Sequence, residues 1–479
     1  MLFHKKKGPL SGAVALGLGL ASCAAAAADS KGLPASPAAP LLPDEACVSG
    51  ALVRPLPLLE AVSRALCNNP KTRGAWASIQ LNAAALRVAR ESYLPTVRGK
   101  AQELDSWTAT RIDHQPALDT DAHSLSPSEN LALSWVLFDF GQRRTQVEAA
   151  RELLAASRAN LDLNLQQVFL QAAADYYDVQ SALANLTASQ EIESLTQRSV
   201  TVAQTRVEKG VAPVSDQLQA QTAFAQAVIN RVKAQAELST KQGALAIDMG
   251  IDPDTSVDVP LADPDVNAGG DFAAGLHELI EGAKRSHPSV LQAERELSAA
   301  RAGERAARAF GYPTISLVGG ISRSNEPLTP SLGSPSVPGH VSNRSVGIQI
   351  DVPLSDPLWK RGTIARARAA VAVQEETLYG TQQQVAQGVW SAYTTLKANT
   401  DNLQNAQSLL KSARESLQAS QRRYEGGAGN MIELLSAQAT YASARQQHIQ
   451  AQSDWRIARL ALSASLGKLG PDAIAANRD

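Results

Sequence analysis

Apolar residues return at two different periods along this chain. From Arg143 to Lys209 there is neither proline nor glycine, and apolar positions recur every seven residues. One row is Leu154, Leu161 and Val168; a second is Leu165, Ala172, Val179 and Leu186; a third is Phe169, Tyr176 and Leu183. A sevenfold step predicts helices that supercoil with a neighbour. About 67 residues at 1.5 Å each make roughly 100 Å of helix, longer than any compact domain. Gly210, with Pro213 after it, predicts a turn and a returning helix over 214–249. The same plan recurs with a long helix over 361–425 and a turn at Gly426 and Gly427.

The second period is two. "TISLVGGIS" from Thr314 sets Ile315, Leu317, Gly319 and Ile321 against Ser316, Val318, Gly320 and Ser322. "SVGIQIDVP" from Ser345 sets Val346, Ile348, Ile350 and Val352 against Gly347, Gln349 and Asp351. "NLALSWVLF" from Asn130 places Leu131, Leu133, Trp135 and Leu137 on one face, and "TVRGKAQELDSW" from Thr96 is the weakest of the set. Alternation over about ten residues is the mark of a membrane barrel strand. Trp107, Trp135, Phe138, Phe140 and Tyr312 stand near the strand ends, where aromatic girdles belong. The alternative is a small soluble sheet. Four strands do not close a barrel, and open edges are not tolerated in lipid, so the barrel reading requires several copies; three supply about 12 strands. Polar, Pro/Ser-rich segments at 108–129 and 326–344 are the expected outer loops.

The plan is written twice. Pro70 and Pro288, and Pro95 and Pro313, lie 218 residues apart; Gly210 and Gly427, and Gly250 and Gly467, lie 217 apart. A shared offset across these landmarks predicts a tandem duplication with repeats over 56–250 and 274–467. Residues 251–273, rich in Asp, Pro and Gly, form the expected linker, 29–55 a Pro/Ala-rich extended lead, and 468–479 a tail.

Composition agrees with long helices rather than a globule. Aromatics are 4% and hydrophobic residues 44% of 479, so small and aliphatic side chains carry the apolar content. The net charge of −1, from 45 basic and 46 acidic residues, argues against a dedicated nucleic-acid binder. Lys5, Lys6 and Lys7 before the short apolar run 12–20 predict a signal peptide. Two processing sites compete: Ala26-Ala27-Ala28, giving a signal over 1–28, and the lipobox Leu20-Ala21-Ser22-Cys23, giving 1–22 with Cys23 lipidated. Export leaves Cys47 and Cys67 as a pair in an oxidising compartment, where a disulfide closing about 20 residues contributes roughly 3 kcal/mol. Two unpaired buried thiols are the alternative. The seven histidines show no metal-ligand spacing, and no H-E-x-x-H, P-loop or nucleophile elbow occurs, so neither an enzyme nor a metal or other cofactor is expected. A surface coiled-coil adhesin fits the heptads but not strands placed alike in two halves.

Two turns share the pattern R-[YV]-x-x-G-x-x-x-x-x-[DE], at 206–216 and 423–433. With Pro95 and Pro313 and the joints "LFDFGQRR" and "PLSDPLWKRG", they carry a resemblance to the outer-membrane efflux proteins of the TolC type over about 56–467. The resemblance implies a mostly α fold with membrane β: a homotrimer whose four strands per chain build a 12-stranded barrel, continued by a periplasmic α-helical barrel of coiled coils. It implies a place in the outer membrane of a Gram-negative bacterium and in the periplasm beneath it. The two hairpins then line the closed tip, which opens as the second untwists relative to the first. Glu433 takes the position of an acid ring that narrows the pore and favours cations, and Ser436 that of a second acid one turn on. Ser215, Asp216 and Tyr424 fall in the links that hold the tip shut, while the basic residue expected among them falls at Gly429. A plainer role for Glu433 and Asp216 is to cap their helices. Gly210, Val211, Ala212, Gly427, Ala428 and Asn430 correspond to grooves where a periplasmic adaptor docks.

The implied function is the exit duct of a tripartite export system, with a periplasmic adaptor and an inner-membrane ABC exporter or proton-driven pump as partners. Two cargoes stay open. The lead with Cys47 and Cys67 resembles ducts of cyclolysin-type secretion, which favours type I secretion of a protein toxin or other polypeptide. The Cys23 lipobox favours drug or metal efflux with a proton-driven pump.

Overall fold

The computed structural model describes residues 47, 52–261, 275–325, 339–353 and 357–469. The signal and lipobox with Cys23, most of the lead, the linker from 262 to 274, the greater part of the loop at 326–344 and the tail from 470 lie outside the described residues. The elements run α1 (Leu58–Asn68), α2 (Pro70–Glu91), β1 (Thr96–Thr110), β2 (Thr120–Phe138), α3 (Gln142–Glu208) and α4 (Val214–Asp248). They repeat as α5 (Leu276–Ser286), α6 (Pro288–Ala309), β3 (Thr314–Ser324), β4 (Val341–Asp351), α7 (Pro357–Glu425) and α8 (Met431–Ser465).

The heptad rows of α3 are its core face. Leu161, Leu165, Phe169, Ala172 and Val179 are all buried, with Leu183 half-buried at the edge. In α7 the row Val389, Leu396, Leu403, Leu417 and Tyr424 is buried at sevenfold spacing, with Leu410 packed beside it and Ala406, Ala413 and Ser420 buried in a second such row. It meets Leu434, Tyr441, Trp455 and Leu462 of α8, also spaced by sevens. Sustained sevenfold spacing on both partners is what a two-helix supercoil requires. The opposite face of α7 leaves Val373, Tyr379 and Trp390 exposed.

Each expected first helix is two helices, α1–α2 and α5–α6. Pro70 and Pro288 force the residue before them out of the helical region: Asn69 sits at ψ 131° and His287 at ψ 134°. Each then caps the following helix, Asn69 accepting from the Lys71 amide at 2.9 Å and His287 from the Ser289 amide at 3.2 Å. The repeat landmarks meet at these breaks. Gly250, at φ +73°, lies where a Cβ would stand 2.6 Å from Asn68 Cβ. Gly467, at φ +70°, lies where one would stand 2.9 Å from Pro288 Cδ. Both sites therefore demand glycine twice over, for the left-handed backbone and for the close approach. The described start of the linker is packed: Val257 and Val259 are buried, Gln242 and Gln180 donate to the carbonyls of Val257 and Pro260, and Leu56 N–H donates to Asp258 O at 2.7 Å. Cys47 and Cys67 are disulfide-bonded with Cα atoms 5.6 Å apart, tying the lead to α1.

The four strands form one antiparallel sheet in the order β1-β2-β3-β4, leaving β1 and β4 as open edges. The expected loop at 108–129 shrinks to 111–119, because pairing runs on to Thr110 opposite Thr120. Polar residues hold that extension: Ser106 and Ser124 share a hydroxyl hydrogen bond of 2.9 Å, and His123 meets Asp105 at 2.6 Å while stacking on Trp107. Polarity marked the segment as loop, yet cross-strand pairing between polar side chains stabilises strand as well. The register puts Val97, Leu133, Gly319 and Val346 in one row and Trp135, Leu317 and Ile348 in the next on the same face. The other face carries Arg98, Lys100, Asn130, Asn343, Ser345 and Gln349. Nothing among the described residues covers the apolar face: Val346 is 79% and Ile348 68% exposed.

Candidate functional site

At the end of the long helices opposite the sheet, the turns of α3–α4 and α7–α8 lie side by side. Their shared core is Ala203 and Ala220 from the first hairpin and Leu417, Tyr424, Met431, Leu434, Ala437 and Tyr441 from the second. Tyr424 is 2% exposed. The Arg206 guanidinium stands 4.8 Å over its ring and donates to its backbone carbonyl. A buried aromatic face pairs favourably with a cation stripped of water. The Tyr424 hydroxyl is buried and makes no hydrogen bond with any described residue. Burial, and then the nearby Asp216 charge, push its pKa up, against the opposing pull of Arg206. Further from the tip, Gln438 donates to Ser199 Oγ at 2.9 Å, and Arg445 meets Glu191 at 3.3 Å. These bonds join α8 of the second hairpin to α3 of the first.

Both turns stop their helices in the same way. Gly210 and Gly427 take φ +69° and +77°, and Val211 and Ala428 return their amides to the carbonyls of Arg206 and Arg423, each at 2.9 Å. This is a left-handed C-terminal stop. Val211 is exposed and Ala212 half-buried, so the first turn offers an apolar edge to solvent. Asn430 caps α8 by accepting from the Glu433 amide at 2.8 Å.

Asp216 and Glu433 each stand in the first turn of their helix, where an acid complements the helix dipole. The side-chain cap of α8 is Asn430, and α4, with Pro213 at its N-cap, has none. The Glu433 carboxylate accepts from Arg423 Nη1 at 3.0 Å. Ser215 is exposed and Asp216 half-buried, and neither side chain has a hydrogen-bond partner among the described residues. Ser436 is exposed and lines a groove of about 600 Å³ with Leu218, Thr222 and Ile432. Gly429, where the basic residue was expected, is crowded by the turn before it, so a larger residue needs that backbone to give by a few tenths of an ångström. A Cβ would lie 3.0 Å from Tyr424 N and 3.2 Å from Arg423 C, both backbone atoms. The cations that find partners in the turn cluster are Arg206, on Tyr424, and Arg423, on Glu433, neither of which the sequence marked as a site residue. They open the two copies of the repeated turn motif, and that was the signal available.

A sheet apolar outside and polar inside, set on helices about 100 Å long that end in a packed turn cluster, defines a channel-forming outer membrane protein. The chain belongs to the outer membrane efflux protein family, whose model matches residues 61–250 and again 279–468. Protein CyaE of Bordetella pertussis is 29% identical over 425 residues, covering 88% of this chain and 85% of that protein. The cation efflux system protein CusC of Escherichia coli K12 is 24% identical over 422 residues, covering 85% of each. A crystal structure of CusC superposes with a TM-score of 0.72 at 21% identity, covering 90% of this chain and 97% of that one. The protein is therefore an outer membrane efflux channel, with its sheet at the membrane and its helices reaching into the periplasm. Among the described residues no helix is long and apolar enough to cross a membrane, and no cluster of acidic, His or Cys side chains could hold a metal ion.

Proposed function

We propose that three copies assemble into a duct for type I secretion of a polypeptide, delivered by an inner-membrane ABC exporter through a periplasmic adaptor. The observation that carries the assembly is the sheet itself. It is apolar on one face, polar on the other and unpaired at both β1 and β4. Unpaired backbone edges are not tolerated in hydrocarbon, and pairing β4 of one copy with β1 of the next removes both. Val373, Tyr379 and Trp390 on α7 become contacts between copies. The duct catalyses nothing and needs no cofactor; its partners supply the energy.

In this reading the tip is the gate. Glu433 of three copies rings the axis with Ser436 one turn above, and Arg423 sets how much of that charge faces the pore. Arg206 on Tyr424, with Ser215 and Asp216 on the neighbouring turn, holds the gate shut, and Gly429 needs no cation because Arg206 and Arg423 supply one each. Opening by untwisting the second hairpin breaks the bonds of α8 to Ser199 and Glu191 as well. The turn edges Gly210, Val211 and Ala212, with Gly427, Ala428 and Asn430, take the adaptor. The Cys47–Cys67 bond fastens the lead, and Cys23 is the acylation site if the lipobox is used.

Similarity to Protein CyaE supports secretion of a polypeptide, as does the cross-linked lead. Similarity to a cation efflux system protein supports the second reading, drug or metal efflux with a proton-driven pump. Two measurements decide. Native mass spectrometry and planar-bilayer recording of the purified protein should give a trimer that conducts; a monomer without conductance refutes the duct. Deleting the gene should abolish export of the polypeptide substrate of a neighbouring ABC exporter. Unchanged export with lost drug or metal resistance refutes the secretion reading and supports the other.

A further inference from the structure

The apolar face of the sheet carries a feature that the pore does not use. At Gly319 of β3 the missing side chain leaves a hollow of about 490 Å³, walled by Val97, Leu131, Leu133, Ile321 and Val346. Arg344 of β4 stands on its rim, in the row Gly99, Leu131, Ile321, Arg344. That row carries no carboxylate, and Arg344 makes no ion pair with any described residue. Arg323 lies diagonally beside it in the next row, opposite Glu129.

Height decides what can meet this arginine. From Tyr312 in the lower aromatic cluster with Phe140 to Ile321 is nine residues. At about 3.4 Å each and a tilt near 40°, that spans about 23 Å, close to the roughly 25 Å apolar band of an outer-membrane barrel. The helices lie below the lower cluster, so Arg344 and Arg323 stand at the outer boundary of the hydrocarbon. A guanidinium at that height meets headgroups on its outward side, with β1 of the next copy beside it in the proposed trimer, and its planar fork suits phosphate.

We propose that the hollow and Arg344 form a binding site for a phosphorylated glycolipid of the outer leaflet, with an acyl chain over Gly319 and a headgroup phosphate on Arg344. The site rests on the reading of the sheet as barrel wall. The test uses the full-length protein in phosphatidylcholine nanodiscs containing a few mole per cent of bisphosphorylated lipid A, or of phosphatidylglycerol in parallel. Lipid retained per trimer is read by native mass spectrometry. Lipid A should be retained above phosphatidylglycerol. Arg344→Gln should lower that retention about fivefold, the scale of one exposed ion pair. Gly319→Leu, whose Cβ meets only ordinary contacts with Ser345 O and Leu133 and whose side chain enters the hollow, should also lower it. Arg98→Gln on the opposite face should not change it. Equal retention by wild type and Arg344→Gln, or phosphatidylglycerol held as well as lipid A, overturns the site. Conductance of the same preparations separates the two levels. Protein that conducts but retains no lipid A refutes this site alone, and protein that neither inserts nor conducts refutes the barrel.

Discussion

Arg423 and Glu433 show how much one side chain can alter the meaning of another. In the proposed trimer the acid ring is only as negative as Arg423 allows, because each carboxylate has a guanidinium at 3.0 Å. Both groups are partly exposed, so the pair adds little to stability, about 0–1 kcal/mol; its effect is on the pore. Arg423→Gln should therefore increase cation preference, read as a shift in reversal potential across a salt gradient, with the melting temperature unchanged. Glu433→Ala should move the reversal potential the other way, and unaltered potentials in both variants would count against a ring at this position. Arg206→Ala removes the cation packed on Tyr424 and should raise the conductance of the resting channel; a conductance no higher than wild type would place the lock elsewhere. The acids were legible from the family pattern. Their partners were not, because a side-chain pair ten residues apart across a turn depends on where the turn points them.

The helices were the most legible elements, because a sevenfold apolar row can be buried in only one way. The strands came next, since alternation marks the two faces, but their lengths did not. The β1–β2 hairpin gains its outer half from pairs such as Asp105 with His123 and Ser106 with Ser124, which read as loop in a single strand. The break of each leading helix at Pro70 and Pro288 is local chemistry, visible in the residues themselves. The role of Gly250 and Gly467 is tertiary, because each closes against the break of its own repeat. Gly250→Ala should therefore cost more than Gly210→Ala. The first meets Asn68 at 2.6 Å as well as the left-handed backbone, whereas the second has open space around its Cβ position. About 1 kcal/mol is expected for Gly210→Ala and several times that for Gly250→Ala, and thermal unfolding of the two variants checks the order.

On the scale of the molecule, the join between α4 and α3 carries a pH dependence. Burial, and then the Asp175 carboxylate, push the Asp248 pKa up to about 7, with Lys71 pulling the other way. An acid whose pKa is raised by folding holds its proton more tightly in the folded chain, so stability falls as pH rises through the interval between the two values. Asp248→Asn should therefore gain on wild type as pH climbs from about 4 to about 7, with no further gain above that. A melting-temperature difference that stays constant from pH 5 to pH 8 would remove Asp248 as the cause. The amino-acid sequence by itself determined the period of every long helix, the alternation of the strands, the doubling of the plan and the glycines that stop the helices, because each is a local or repeating preference. Only the tertiary structure decided which cations face which acids, how far the hairpin runs and that β1 and β4 are the two edges of the sheet. Those outcomes depend on groups far apart in the chain arriving at the same place.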